Sequence, residues 1–287
     1  MSAAFAEMPL ALFTTLASVG AGAFIALACV AFTAKLDEEQ WARVDKMALI
    51  PGLVVVVGFI AAFFHLANAA GAFGVFGGLG RSPMSNEIAG GVLFAVVMVV
   101  YVAMGLAGKV SAGARRGLLA ALAVLAVVFA VLMGLAYGIA TIPTWNSPWP
   151  TVQVLGFALL GGAALGSLVL AAAGAFGDAV ENGFKTPAVA LAAIGCVLAV
   201  AGLAMMASVA GGVANSVVAG GELVAGIVPC LVVAIACLVL AAAAVVLATR
   251  APQGVTWPAV ASVLALVGVL AGRFVFYALQ ISVGISF

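Results

Sequence analysis

A chain of 287 residues with 67% hydrophobic and only 7% charged side chains, and a mean hydropathy of +1.38, falls outside the range of soluble globular domains and reads as an integral membrane protein. Its net charge of +1 offers neither a basic nucleic-acid surface nor a polybasic lipid-binding tail, so nucleic acid is excluded as a partner and the lipid bilayer is the expected one. Only helices or a closed barrel span a bilayer; long apolar runs without period-two alternation select helices, and the fold class is all-α.

The chain opens Met-Ser-Ala-Ala-Phe-Ala-Glu, without the positive segment or clean cleavage site of a signal peptide, so the first apolar run is expected to stay as a span. Apolar windows between polar breaks predict eight transmembrane helices, near residues 9–34, 47–68, 88–108, 117–140, 151–176, 186–212, 223–248 and 257–283, in a single membrane domain over 1–287. Lys35, Arg43, Lys46, Lys109, Arg115, Arg116, Lys185 and Arg250 fall in the odd-numbered breaks and Arg81 alone in an even one. The positive-inside rule then makes the odd loops cytoplasmic and both termini extracytoplasmic. Trp145 and Trp149 are expected at the outer rim, Trp41 and Trp257 at the inner one. The small-residue pairs Ser18/Gly22 and Gly162/Gly166 predict close helix contact.

The second span ends at the only histidine, His65. Counted from Lys46 it lies ~28 Å along a helix, about one hydrocarbon thickness, and so at the outer interface. A long loop follows, Gly71 to Arg81, and then Ser85-Asn86-Glu87 enters the third span. Taken singly, Ser85 is a helix cap, Glu87 a complement to the macrodipole and His65 a side chain snorkelling to water. Their shared depth, joined by one loop, points to a common site. Arg273, Tyr277 and Gln280 follow at spacings of four and three on one face of the last span. A guanidinium at that depth either belongs to the functional site or makes a structural ion pair with Glu87 or Glu222. Asp37, Glu38, Glu39 and Asp45 share a loop with basic residues and read as solvated surface, as do Asp178 and Glu181. The loop Thr141 to Pro150, aromatic and uncharged, suits a membrane rim or a docked subunit.

A histidine and a carboxylate at one face of an apolar bundle suit proton transfer from a lipid-soluble quinol, with imidazole titrating near neutral pH and the carboxylate orienting it or taking a proton. Electrons need another carrier. A bis-histidine haem requires one more histidine than the chain owns, and Cys29, Cys196, Cys230 and Cys237 lie in apolar runs without cluster spacing. No haem or iron–sulfur cluster is therefore expected in this chain, and electrons must pass to a partner. A transporter predicts ionisable groups or broken helices at mid-span, which these runs lack; a purely structural anchor has no use for His65 and Glu87.

The segments Glu7-Met8-Pro9-Leu10, His65-Leu66, Ser85-Asn86-Glu87-Ile88-Ala89, Pro143-Thr144-Trp145 and Gly272-Arg273-Phe274-Val275-Phe276-Tyr277, in this order from first span to last, resemble the membrane anchor subunit of the dimethyl sulfoxide reductase family, DmsC. The NrfD or polysulfide-reductase type of quinone-linked anchor fits these segments less well. The resemblance implies an anchor in the bacterial inner membrane that oxidises menaquinol in anaerobic respiration. It also implies two partners, an iron–sulfur subunit docked on the extracytoplasmic face and a molybdopterin catalytic subunit beyond it. On the same ground His65 and Glu87 belong to the quinol site; the expectation drawn from the residues themselves is that His65 accepts a proton with help from Glu87, with Ser85, Asn86, Arg273 and Tyr277 as further quinol contacts. Relatives often carry glycine, proline and a basic residue after His-Leu; this chain has Ala67-Asn68-Ala69-Ala70-Gly71, and Arg81 is either a substitute for that charge or a surface residue.

Overall fold

In the computed structural model, which describes residues 5–65 and 69–283, eight helical segments are long and apolar enough to cross a membrane. They comprise α1 (Met8–Thr33), α2 and α3 (Glu38–Met47 and Leu49–Phe63, together the second span), α4 (Pro83–Leu106), α5 (Ala112–Leu135), α6 (Trp149–Ala172), α7 (Lys185–Gly211), α8 (Gly220–Arg250) and α9 (Thr256–Ala278). The predicted all-α bundle of eight spans is what forms. Because the spans alternate in direction, the N-termini of α1, α4, α6 and α8 share one end of the bundle with the C-termini of α3, α5, α7 and α9.

Local chemistry sets the boundaries. Pro9, Pro83 and Pro150 open α1, α4 and α6, where a missing N–H costs nothing. Asp37 and Gln40 form a reciprocal capping box on α2. Gly108 and Gly174, with φ of 64° and 66°, take the left-handed turn after α4 and α6. The third span starts five residues before its predicted position, because Ser82, not Ser85, supplies the cap: its side chain accepts from the Ser85 amide. The second span stops at Phe63, and Ala69–Gly78 form a 3₁₀ helix. Leu66, Ala67 and Asn68, in the predicted end of that span and in the His-Leu segment, lie outside the described residues.

The two central helices are α1 and α6, each buried along most of its length. Glycine makes their contact possible. A Cβ on Gly162 would overlap the backbone of Gly22, one on Gly22 would overlap that of Ala158, and Gly166 sits against Ala26. On its other side α6 meets α7 just as closely, through Gly156 against Ala199 and Gly195 against Leu160. Helices α3 to α5 pack on one side of this pair and α7 to α9 on the other.

The acidic loop after α1 is not wholly solvated surface. Asp45 is buried, accepts from the Tyr101 hydroxyl at 2.6 Å and pairs with Arg115 at 2.9 Å. Arg115 also lies 4.8 Å above the Trp41 ring, which is itself buried. The amphipathic helix α2 turns Asp45 inward, where a cation and a phenol compensate its lost hydration.

Candidate functional site

Polar side chains collect at the end of the bundle shared by the N-terminus of α1 and the C-terminus of α9. Arg273 lies one turn inside α9 and is fully buried. Its Nε donates to Thr14 Oγ1 on α1 at 2.8 Å, Nη1 to Gln153 Oε1 on α6 at 3.3 Å, and Nη2 to the Tyr277 hydroxyl at 3.2 Å. Its guanidinium carbon lies 4.0 Å from the ring centre of Phe276 and 5.0 Å from those of Tyr137 and Tyr277. Three helices and three rings therefore fix the guanidinium plane. Thr14 can accept because its own hydroxyl donates to Leu10 O.

Among the described residues, Arg273 has no carboxylate within ion-pair distance, so the expected alternative of a contact pair with Glu87 or Glu222 does not form. Its positive charge acts instead at longer range on Glu87, buried in the second turn of α4, and Glu87 in turn acts on Tyr137. The register of α4 on α5 accounts for this, since Gly90 faces Leu132 and Gly91 faces Phe129, which leads outward to Glu87 on one helix and Tyr137 beyond the other. The Tyr137 hydroxyl shares a hydrogen with that of Tyr277. Burial, before any neighbouring charge, pushes the Tyr137 phenol well above its usual range, so Tyr137 stays protonated. Gln280 falls beyond the end of α9 and is exposed, so it leaves the face predicted for it.

Trp145 belongs to this cluster and not to the membrane rim. It is buried, stacks on Phe276 at 4.8 Å and donates from Nε1 to Phe276 O at 3.1 Å. The loop after α5 is thereby pinned over the end of α9, with Val283 N donating to Thr141 O.

Ser85 is buried beneath the 3₁₀ segment, where a Cβ on Gly78 would reach its Oγ, and Asn86 Oδ1 accepts from Gly80 N at 2.8 Å. Both side chains tie the loop to the first turn of α4. Arg81 is exposed and donates to Gly77 O.

His65 follows the last turn of α3, its side chain 42% exposed, with Nδ1 3.5 Å from Glu7 Oε2. Glu87 is not within ion-pair distance of it. Both nevertheless lie toward the same end of the bundle: the Phe59 ring reaches Gly91, and from that contact His65 follows six residues on and Glu87 precedes by four. Between α3 and α4 an apolar groove of about 790 Å³ is open to the surroundings of the bundle; Phe59, Phe63, Phe64, Val92 and Val96 are among the residues that line it. Beside it the Phe59 and Phe129 rings stack at 5.9 Å and Phe13 packs on both.

Glu7, Thr14, Tyr137 and Gln153 are the members of this assembly that sequence reading missed. Each is a single polar residue at a span end, without a spacing pattern to single it out. Among the described residues no three His, Cys, Asp or Glu side chains gather as a metal-holding group.

The family model for the DMSO reductase anchor subunit (DmsC) matches residues 1–279. The sequence is 33% identical to a subunit of the anaerobic dimethyl sulfoxide reductase of Escherichia coli (strain K12), over 100% of its own length and 99% of that relative. It is 29% identical to the anaerobic dimethyl sulfoxide reductase subunit YnfH of the same organism, over 98% and 97%. An anaerobic dimethyl sulfoxide reductase subunit from Haemophilus influenzae is 29% identical over 59% of the present sequence and 61% of its own.

Proposed function

The protein belongs to the DMSO reductase anchor subunit (DmsC) family, and from that premise we propose that it binds menaquinol at the His65 end of the bundle, takes its protons and passes its electrons to an iron–sulfur subunit. That subunit docks on the same, extracytoplasmic face and feeds a molybdopterin catalytic subunit. The protein sits in the bacterial inner membrane with both termini outside, as the distribution of Lys and Arg dictates. Dimethyl sulfoxide is the acceptor that the names of the relatives carry.

The observation that supports this reading is the apolar groove between α3 and α4, lined in part by Phe64, the residue before His65. An isoprenoid tail lies along Val92, Val96 and Phe59 at no desolvation cost, which leaves the two hydroxyls of the headgroup near the titratable side chains of that end. As two electrons leave for the partner's cluster, the imidazole takes one proton and the Glu87 carboxylate the other. Arg273, fixed by Thr14, Gln153 and Tyr277, holds a constant positive potential behind Glu87.

Purified complex carrying His65→Arg or Glu87→Lys is expected to assemble and to lose quinol oxidation by at least about a hundredfold, the scale of a removed acid–base group. Either variant oxidising a menaquinol analogue at the normal rate rejects the reading.

A further inference from the structure

Glu7 has no role in the family resemblance beyond its place in a matching segment, yet its geometry is that of a working group. Its Oε2 is buried and, among the described residues, without a hydrogen-bond partner. A buried carboxylate oxygen left unpaired is costly and calls for an explanation. The polar atom facing it is Nδ1 of His65, at 3.5 Å. Glu7 is held there from both sides. It occupies the N-cap of α1 with Pro9 two residues on, where the helix dipole favours an anion, and Phe5 anchors the preceding segment on Phe274 of α9 at 5.4 Å.

We propose that Glu7 is the positioning carboxylate of His65, fixing the imidazole with its hydrogen on Nδ1 and its lone pair on Nε2, directed at the quinol hydroxyl. An ionised carboxylate only accepts, so the nitrogen facing it must donate, and the opposite nitrogen is left as the base. A movement of about 0.5 Å brings the pair to hydrogen-bond distance. The balance is simple. The quinol O–H bond breaks and an Nε2–H bond forms; the two electrons go to the iron–sulfur partner; the Nδ1 hydrogen stays in place, and the Glu7 charge offsets the imidazolium. Glu87 remains free to take the second proton.

The inference rests on the reading of His65 as the quinol base, and a double-mutant cycle on the intact complex separates the two. Oxidation of a short-chain menaquinol analogue is measured for wild type, Glu7→Gln, Glu7→Asp, His65→Gln and Glu7→Gln/His65→Gln. Glu7→Gln is expected to lower kcat at least about tenfold with KM within about twofold, and Glu7→Asp to recover about a third of the rate. In the His65→Gln background, Glu7→Gln should add less than about a twofold change. An equal fall in both backgrounds, or a wild-type kcat for Glu7→Gln while His65→Gln is slow, overturns the Glu7 role alone. A wild-type rate for His65→Gln overturns the reading of His65 and this inference with it. Should Glu7→Gln fail to assemble, Glu7→Asp carries the cycle, its loss in kcat vanishing without His65.

Discussion

Two buried arginines sit at opposite ends of this bundle, and they are compensated in opposite ways. Arg115 is met by Asp45 at 2.9 Å, by Glu38 at 3.4 Å and by the Trp41 face, while Tyr101 takes the remaining valence of Asp45. Every charge there has a partner in contact. Arg273 is met by an alcohol, an amide, a phenol and three aromatic faces, and the carboxyl group on which it acts, that of Glu87, stays out of contact. At the same end, Gln153 Nε2 and Glu7 Oε2 are buried without partners among the described residues. A region that exists to hold helices together satisfies its polar atoms internally. A region that handles a ligand keeps some of them unsatisfied until the ligand arrives.

This contrast is open to three direct tests. The largest effect on stability is expected from Asp45→Ala, which leaves Arg115 with only a largely exposed Glu38 and strands the Tyr101 hydroxyl. Breaking a buried pair from one side costs about 3 kcal/mol or more. The thermal unfolding midpoint of the complex should fall clearly, while the molecules that remain folded keep their quinol turnover. A normal midpoint would mean that the inner cluster is not a structural lock. Arg273→Met should behave in the reverse sense. It removes a charge with no contact counter-ion, so the midpoint should move less than with Asp45→Ala. Turnover should drop at least about tenfold, or about 1.4 kcal/mol, because the potential behind Glu87 is gone. A variant that turned over normally yet unfolded early would place Arg273 with Arg115 as a structural residue. The smallest effect belongs to Tyr137→Phe. Losing one shared hydroxyl costs about 1 kcal/mol, read as a slight fall in the midpoint; the ring that lies under Arg273 and meets Trp145 edge to face is retained. A fall as deep as that of Asp45→Ala would show that this end, too, is primarily structural.

The spans were legible because burial in lipid writes itself into composition: eight long apolar runs between polar or proline-rich breaks read as eight helices. The small-residue pairs were legible for a related reason, since close helix contact in a membrane needs glycine, and Gly22 does meet Gly162. Boundaries shifted where a local group competed. Ser82 capped α4 ahead of Ser85, and α9 ended before Gln280. Of the candidate residues, Glu87, Arg273 and Tyr277 converge by electrostatics and hydrogen bonding, Ser85 and Asn86 hold the loop, and His65 turns to Glu7. That choice between two carboxylates was invisible in the sequence, where Glu87 is the nearer to His65 and Glu7 lies 58 positions away.

By itself the sequence determined the number of spans, their alternation, and the residue types able to carry charge at each end, because solvation by lipid or water acts on each residue one at a time. Only the tertiary structure decided which charges meet. Whether Asp45 faces water or Arg115, whether Trp145 lies at a rim or over Phe276, and which acid stands before His65 depend on how separate helices turn against each other. Pairwise electrostatics falls off over a few ångströms, and a list of residues contains no such distances.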